Sequence, residues 1–151
     1  MSSISFRVSD EYGDIAAIHD ALYAYNLSKT GSPRVEVSAE RFPEQQAVLA
    51  CGEDGQAHGG IAFHWLDAPR RIFVDYFFLD DAVRGRGEGR RIFEFFFDLA
   101  KRSGARMIEL TTNTFQAPGF YLKMGFRITG EKASPVPLRP DNIHYSLRKD
   151  L

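Results

Sequence analysis

The chain has 151 residues, the size of one ordinary domain that can bury a sizeable core without disulfides or metals. Its formal net charge of −1 excludes the overall basic character typical of nucleic-acid-binding proteins, and its 44% hydrophobic residues exclude a disordered chain. The single cysteine, Cys51, excludes an internal disulfide and a multi-cysteine metal site.

The first half of the chain predicts a strand, a helix and a hairpin. Residues 4–9 alternate apolar and polar side chains, as a strand does, and Ser9 or Asp10 can cap a helix over about residues 14–29. A loop with glycine and prolines follows at residues 30–44. Apolar runs on both sides of the Asp54-Gly55 dipeptide then predict a β-hairpin within residues 45–67.

The second half predicts a buried strand, a long helix and three further strands. Residues 70–81 are rich in aromatic and β-branched side chains, and helical spacing begins after Gly89 and ends at Ser103-Gly104. A strand at 105–112, a short helix at 116–124 and strands at 125–132 and 143–150 complete the chain. This order predicts a mixed sheet covered by helices, with a crossover between strands 70–81 and 105–112.

The segment "AVRGRGEGRRIF", residues 82–93, lies between that buried strand and the long helix. It places three glycines at alternating positions among four arginines. A helix N-terminus has unpaired backbone N–H groups and a partial positive charge, both of which favour an anion. Because glycines let a phosphate approach the backbone, the segment predicts a pyrophosphate site.

Other interpretations of this segment differ in spacing. A Walker A loop needs Gly-Lys-Ser/Thr, but Gly89 is followed by Arg90-Arg91. A dinucleotide fingerprint needs G-x-G-x-x-G, whereas these glycines run G-x-G-x-G. An RNA-binding arginine-glycine tract would be longer and repeated. A solvated basic turn at a helix start remains the open alternative.

Two motifs resemble the GCN5-related N-acetyltransferase (GNAT) family. The pattern Arg84-x-x-Gly87-x-Gly89 resembles that family's coenzyme A pyrophosphate loop, and residues 72–85 resemble its fourth strand. "QAPGFYLKMGF", residues 116–126, resembles its later signature A-x-x-x-Y-x-K-x-G-F. The resemblance implies an α/β (α+β) fold: a mixed, mostly antiparallel central sheet with a splayed parallel pair and helices on both faces.

The resemblance also implies a set of residues that bind acetyl-CoA as cosubstrate. The pantetheine arm would lie in the splay, against the strand end Phe77, Phe78 and Leu79. The pyrophosphate would be bound by Arg84, Gly85, Arg86, Gly87, Glu88, Gly89 and Arg90. The pantetheine arm would also contact Asn113 or Thr114, Ala117, Phe120 and Tyr121.

The implied reaction is direct attack of a primary amine on the acetyl thioester in a ternary complex, without a metal. Tyr121 matches the family tyrosine that protonates the leaving thiolate, and the Leu79 N–H would stabilise the oxyanion. Asp75 could take the amine proton directly or through water, or it could simply pair with an arginine such as Arg71. Glu109 and His64 are weaker candidates for the base.

The acceptor side is less specific. Tyr23, Tyr25 and Asn26, at the end of the first helix, fall where the family shapes its acceptor cleft, although core packing explains the tyrosines equally well. The acceptor itself, a small-molecule or protein amine, stays open. A non-catalytic acyl-CoA sensor and an interaction protein that binds another anion are the alternative functions; retention of Tyr121 favours the enzyme.

The chain contains no apolar run near the roughly 20 residues of a membrane helix. Its first residues lack the basic start and apolar stretch of a signal peptide. We therefore expect one cytoplasmic domain, residues 1–151, with no nucleic-acid or membrane partner. A homodimer is compatible with this expectation.

Overall fold

The computed structural model describes residues 4–32, 44–67, 70–116 and 118–151. Its helices and strands, in chain order, are β1 (Ser5–Ser9), α1 (Tyr12–Thr30), β2 (Gln46–Cys51), β3 (Ala57–Asp67), β4 (Arg71–Leu79), α2 (Glu88–Arg102), β5 (Met107–Asn113), α3 (Pro118–Lys123), β6 (Arg127–Ala133) and β7 (Ile143–Asp150). A 3₁₀ turn at Thr114–Gln116, which the sequence did not predict, precedes α3. The predicted order of elements is confirmed, and most of the predicted loop at 30–44 lies outside the described residues.

The predicted cap of α1 is wrong in detail. The N-cap residue is Glu11, whose side chain makes no capping bond. Ser9 instead donates its hydroxyl hydrogen to Asp14 Oδ2 at 2.6 Å and accepts the Glu11 backbone N–H at 3.1 Å. Ser9 therefore connects β1 to the first turn of α1 from two residues before the cap.

The strands form one sheet in the order β1-β2-β3-β4-β5-β7-β6, with β4 and β5 parallel and the other neighbours antiparallel. The predicted mixed, mostly antiparallel sheet is confirmed. The β4–β5 pairing covers Arg71↔Met107, Ile72↔Ile108 and Phe73↔Glu109. Beyond Phe73 the two strands are no longer paired, so the parallel pair is splayed as expected.

Helices cover both faces of the sheet. On one face, Ile15 and Ile18 of α1 pack against Ala47, Leu49 and Ala62. On the other face, the α2 residues Phe93 and Phe96, both fully buried, join the larger core cluster. Burying each of these two rings contributes roughly 1.5–3 kcal/mol. No helix of the described residues is long and apolar enough to cross a membrane.

A β-bulge interrupts the pairing of β3 with β4. Phe63 pairs with Val74 and Ala62 pairs with Tyr76, which leaves Asp75 without a partner in the register. Val74 belongs to the α2-side core cluster, whereas Tyr76 belongs to the α1-side cluster. A bulge bends its strand and re-aims a side chain, and here it places Asp75 beside the splay.

Candidate active site

A cavity of about 480 Å³ occupies the splay between β4 and β5. One wall is the second half of β4, from Val74 to Leu79, and the other is Leu110, Thr111 and Thr112 of β5. The cavity extends to the glycine segment at the start of α2. The remaining lining residues are Leu22, Tyr25, Arg84, Gly85, Gly87, Gly89, Arg90, Gln116, Phe120 and Tyr121.

The glycine segment presents open backbone to this cavity. Gly85 and Gly87 have φ angles of 76° and 78°, and a Cβ atom added at either position would meet nothing within 4 Å. Gly87 is the N-cap of α2, whose first turn has N–H groups without helical partners. A Cβ at Gly89 would lie 3.1 Å from Phe120 Cζ. Backbone conformation and space therefore fit a phosphate group.

The charged side chains of the segment divide into two groups. Arg84 and Arg90 line the cavity, and the Arg84 guanidinium donates from Nε to the Leu79 carbonyl oxygen. Its Cζ lies 5.1 Å and 4.9 Å from the ring centroids of Tyr25 and Phe78. Glu88 is buried and accepts two hydrogen bonds from Arg91, whose positive charge balances that of the carboxylate. Glu88 is not among the residues that line the cavity.

The β4 backbone offers hydrogen-bonding groups to the splay at alternate residues. Asp80 donates its N–H to the His58 carbonyl, which makes this a hydrogen-bonded pair of the antiparallel ladder. By alternation, the pair Leu79↔Gly59 is not hydrogen-bonded, and neither is Phe77↔Ile61. The N–H and C=O groups of Phe77 and Leu79 therefore point away from β3 and toward the gap, whereas those of Phe78 pair with β3.

Tyr121 lies on α3 with its ring in the aromatic core and its side chain at the cavity wall. Its ring centroid is 5.7 Å from that of Phe93 and 5.2 Å from that of Phe120. Burial raises the pKa of the Tyr121 phenol above its usual value. Within the described part of the chain its hydroxyl has no hydrogen-bond partner, so the phenol is protonated and available to a ligand.

Asp75 lines the cavity on the side of α1, with 6% of its side chain exposed. Its Oδ2 accepts a hydrogen bond from Gln45 Nε2 at 2.8 Å and contacts His64 Nδ1 at 2.8 Å. Burial raises the pKa of the Asp75 carboxyl, and the bonds to Gln45 and His64 partly oppose this rise. The alternative pairing of Asp75 with Arg71 is wrong, because Arg71 binds Asp67 and Glu109.

Known proteins resemble the chain in sequence and in fold. The model of the Acetyltransferase (GNAT) family matches residues 14–126. The chain belongs to this family.

The chain can be compared with two sequence relatives and one solved structure. It is 34% identical to blasticidin-S acetyltransferase of Streptomyces morookaense over 115 residues, which cover 73% of this chain and 77% of that protein. It is 39% identical over 106 residues to the peptidyl-lysine N-acetyltransferase YjaB of Escherichia coli (strain K12), covering 64% and 63% of the two chains. The yncA structure from Salmonella typhimurium, which contains its cofactor acetyl-CoA, shares the fold at 18% identity and a TM-score of 0.70, covering 98% of this chain and 94% of that one.

Most of the residues that the sequence suggested for this acetyltransferase line one cavity. They are Tyr25, Asp75, Phe77, Phe78, Leu79, Arg84, Gly85, Gly87, Gly89, Arg90, Phe120 and Tyr121. Arg86 and Glu88 are not among its lining residues. Ala117 lies outside the described residues.

The suggested residues near the end of β5 lie elsewhere. Asn113 accepts a hydrogen bond from Asn142, and Thr114 bonds to the backbone of Ile143. Asn113 lines a smaller cavity together with Tyr23 and Asn26. The structure therefore does not bring these four residues to the main cavity.

Sequence reasoning missed Gln45 and Gln116 and underrated His64. Gln116 lines the main cavity and donates to Asn26 Oδ1 at 2.9 Å, which connects α1 to the start of α3. Gln45 precedes β2 by one residue and reaches Asp75 across 30 positions of sequence. A lone glutamine carries no local signal for such a contact. In the described ranges, no group of three or more His, Cys, Asp and Glu could hold a metal ion.

Proposed function

We propose that the protein is an N-acetyltransferase that moves the acetyl group of acetyl-CoA to a primary amine by direct attack in a ternary complex. The observation that carries this proposal is the single cavity that joins the glycine segment, Tyr121 and Asp75. A phosphate seat, a proton donor and a proton acceptor thus line one continuous space. Acyl transfer from a phosphate-bearing thioester to an amine needs these three features together.

The residues present fit acetyl-CoA, which supplies an activated acetyl thioester when bound. Gly85 and Gly87 leave room for the pyrophosphate against the N-terminus of α2, and Arg84 and Arg90 add positive charge beside it. The Leu79 N–H and the Phe77 C=O, which point away from β3, provide a donor and an acceptor for the pantetheine amides. Phe120, stacked on Phe77 with ring centroids 5.9 Å apart, supplies an apolar wall.

In this proposal Tyr121 is the general acid. A phenol whose pKa is raised by burial keeps its proton throughout the neutral and mildly basic range. Its unpartnered hydroxyl can therefore protonate the departing thiolate sulfur. The donor for the carbonyl oxygen, as it gains charge, is a β4 N–H that points into the splay. Phe77 supplies it beside Asp75, because Leu79 lies four residues along β4 from Asp75, toward the glycine segment.

Asp75 is the proposed base for the amine proton. It lines the same cavity as Leu22 and Tyr25 of α1. A buried carboxylate with a raised pKa is better matched to an ammonium group at neutral pH than an exposed one. The acid limb of kcat/KM is therefore expected above the usual carboxyl range.

Direct transfer is favoured over a covalent acyl-enzyme. Cys51 is the single cysteine of the chain, is 4% exposed and does not line the cavity. No other thiol could carry the acetyl group. Initial-rate plots with both substrates varied are expected to intersect, as a ternary complex requires, and parallel plots would contradict direct transfer.

The acceptor class follows from the relatives only in outline. One is named for blasticidin S and another for peptidyl-lysine, and an amine is the acceptor in our proposal for this chain. The cytoplasmic location stays a prediction, and a homodimer stays compatible with the sequence.

The deciding experiment measures thiol release from acetyl-CoA with a panel of amines that includes polyamines, amino acids, aminoglycosides, blasticidin S and a lysine peptide. Amine-dependent thiol release, with acetylated product identified by mass, supports the enzyme. Tight acetyl-CoA binding with no turnover of any amine would instead favour an acyl-CoA sensor. Failure to bind acetyl-CoA at all would overturn both.

A further inference from the structure

The Asp75 carboxylate is held by two long-range contacts that converge on one of its oxygens. Gln45 approaches from the segment before β2 and His64 from β3, and both contact Oδ2 at 2.8 Å. Oδ1 has no hydrogen-bond partner among the described residues. The bulge at Asp75 makes this convergence possible, because without the extra residue its side chain would follow the regular alternation of β4.

We infer that Gln45 and His64 are positioning residues that hold Oδ2 of Asp75 and leave Oδ1 to receive the proton of the acceptor amine. This inference rests on the proposed function. The proton passes from the acceptor ammonium to Oδ1, which leaves a lone pair on the amine nitrogen and a neutral carboxyl. The carboxyl then releases the proton to water, and its ionised form is restored.

The orientation of the Gln45 amide indicates that Oδ2 of Asp75 accepts a hydrogen bond and carries no proton. Gln45 is 3% exposed, and its Oε1 is buried with no hydrogen-bond partner among the described residues. An unpaired buried acceptor is costly, yet turning the amide over would set Oε1 against a carboxylate oxygen. The observed orientation is therefore favourable as long as Oδ2 carries no proton, and it directs protonation of Asp75 to Oδ1.

Few other charges face this carboxylate. The ionisable residues that share the cavity with it are Tyr25 of α1, Tyr121 of α3, and Arg84 and Arg90 at the glycine segment. The β5 residues of the lining, Leu110, Thr111 and Thr112, cannot ionise. Burial raises the pKa of Asp75, and the hydrogen bonds from Gln45 and His64 lower it.

Glu109 provides the contrast. It lies on the neighbouring strand β5, and its carboxylate is bound to Arg71 Nη1 at 2.9 Å outside the cavity lining. A carboxylate that does not line the cavity cannot reach an amine bound within it. Glu109→Gln is therefore the control for removing a nearby carboxylate.

The test compares variants that remove or keep the donors to Oδ2. His64→Leu and Gln45→Met each delete one donor, whereas His64→Asn places an amide N–H near the position of Nδ1. Deleting a donor to the carboxylate is expected to raise the Asp75 pKa by about one unit or more. His64→Asn should restore much of the parent value.

Two readouts separate positioning from a general packing role. Carboxyl ¹³C titration of aspartate-labelled protein follows the Asp75 resonance, which is assigned by its loss in Asp75→Asn, without any acceptor present. The acid limb of kcat/KM should move to higher pH by the same amount in His64→Leu and in Gln45→Met. Glu109→Gln should leave both readouts unchanged.

An unchanged Asp75 pKa in the donor-deleted variants, or a rate loss that is the same at every pH, would overturn the inference. Each deletion is an independent test, so a variant that fails to fold leaves the other to decide. A shifted pKa without acetylation of any amine would reject the proposed function and retain the positioning. Acetylation of an amine, with the acid limb of kcat/KM at the same pH in every variant, would retain the proposed function and reject the positioning.

Discussion

The two ends of the cavity are built in different ways. The proposed phosphate end is formed by a single run of residues, 84–90, which joins β4 to the first turn of α2. At the proposed acceptor end, the carboxylate of Asp75 lines the cavity and is held by Gln45 and His64, so that side chains from three separate segments meet across the fold. The first end depends on backbone conformation and on the absence of side chains at its glycines, whereas the second depends on the identity of three side chains.

The largest expected effect is at the phosphate end, in Gly87→Asp. The added carboxylate would occupy the open space at φ 78° and repel the pyrophosphate. We expect acetyl-CoA affinity to fall by more than about 100-fold, or ~2.7 kcal/mol. Isothermal titration calorimetry measures the loss.

Gly55→Asp is the matched control, because Gly55 in the β2–β3 turn has φ 81° and the same open space around a Cβ. Both variants carry the same left-handed strain of roughly 1–2 kcal/mol and the same added charge. Equal affinity loss in the two variants would assign the effect to folding rather than to the phosphate seat.

The next largest effect is expected in Tyr121→Phe, which removes the proposed proton donor. The ring and its contacts with Phe93 and Phe120 persist, and only the hydroxyl is lost. We expect kcat and kcat/KM to fall together by about 10²-fold, with acetyl-CoA affinity and thermal stability unchanged.

Tyr145→Phe, which changes a half-buried tyrosine outside the cavity lining, should retain full activity. Full turnover by Tyr121→Phe at saturating acceptor would remove Tyr121 from the mechanism. Because burial raises the Tyr121 pKa, the parent enzyme should also show no loss of activity from phenol ionisation at pH 9.

Some parts of the fold and of the candidate site could be predicted from the sequence, and others could not. The positions of the glycine segment and of Tyr121 at one cavity could be anticipated, because a glycine-arginine segment and a short signature are each encoded in consecutive residues. The fold was predictable from the order of elements and from their periodicity. The bulge at Asp75 and its partner Gln45 were not, because both depend on strand register and on contacts across 30 positions, which local pattern does not encode.

A smaller effect is expected in Gly89→Ala. A Cβ at this position would lie 3.1 Å from Phe120 Cζ, which is tight enough to push the ring of Phe120 toward the cavity. We expect acetyl-CoA to bind about tenfold more weakly by calorimetry, equivalent to about 1.4 kcal/mol. Gly119→Ala, in α3 with nothing within 4 Å of its Cβ, should bind normally. If Gly89→Ala bound equally well, Phe120 would not form the wall of the pantetheine site.

The smallest effect on the cofactor is expected in Asn113→Ala, which separates a local sequence match from the contacts of the folded chain. The family resemblance suggested Asn113 or Thr114 as a contact of the pantetheine arm, whereas Asn113 lines a different cavity and bonds to Asn142 and Gln116. Asn142 is 3% exposed, so removing its partner leaves a buried amide N–H less well satisfied. The variant should lose about 1–2 kcal/mol of unfolding free energy while acetyl-CoA affinity changes less than about twofold. Chemical denaturation and calorimetry measure the two quantities. A tenfold loss of affinity at unchanged stability would instead place Asn113 on the cofactor arm, and the boundary of the phosphate and pantetheine end would then include the last residue of β5.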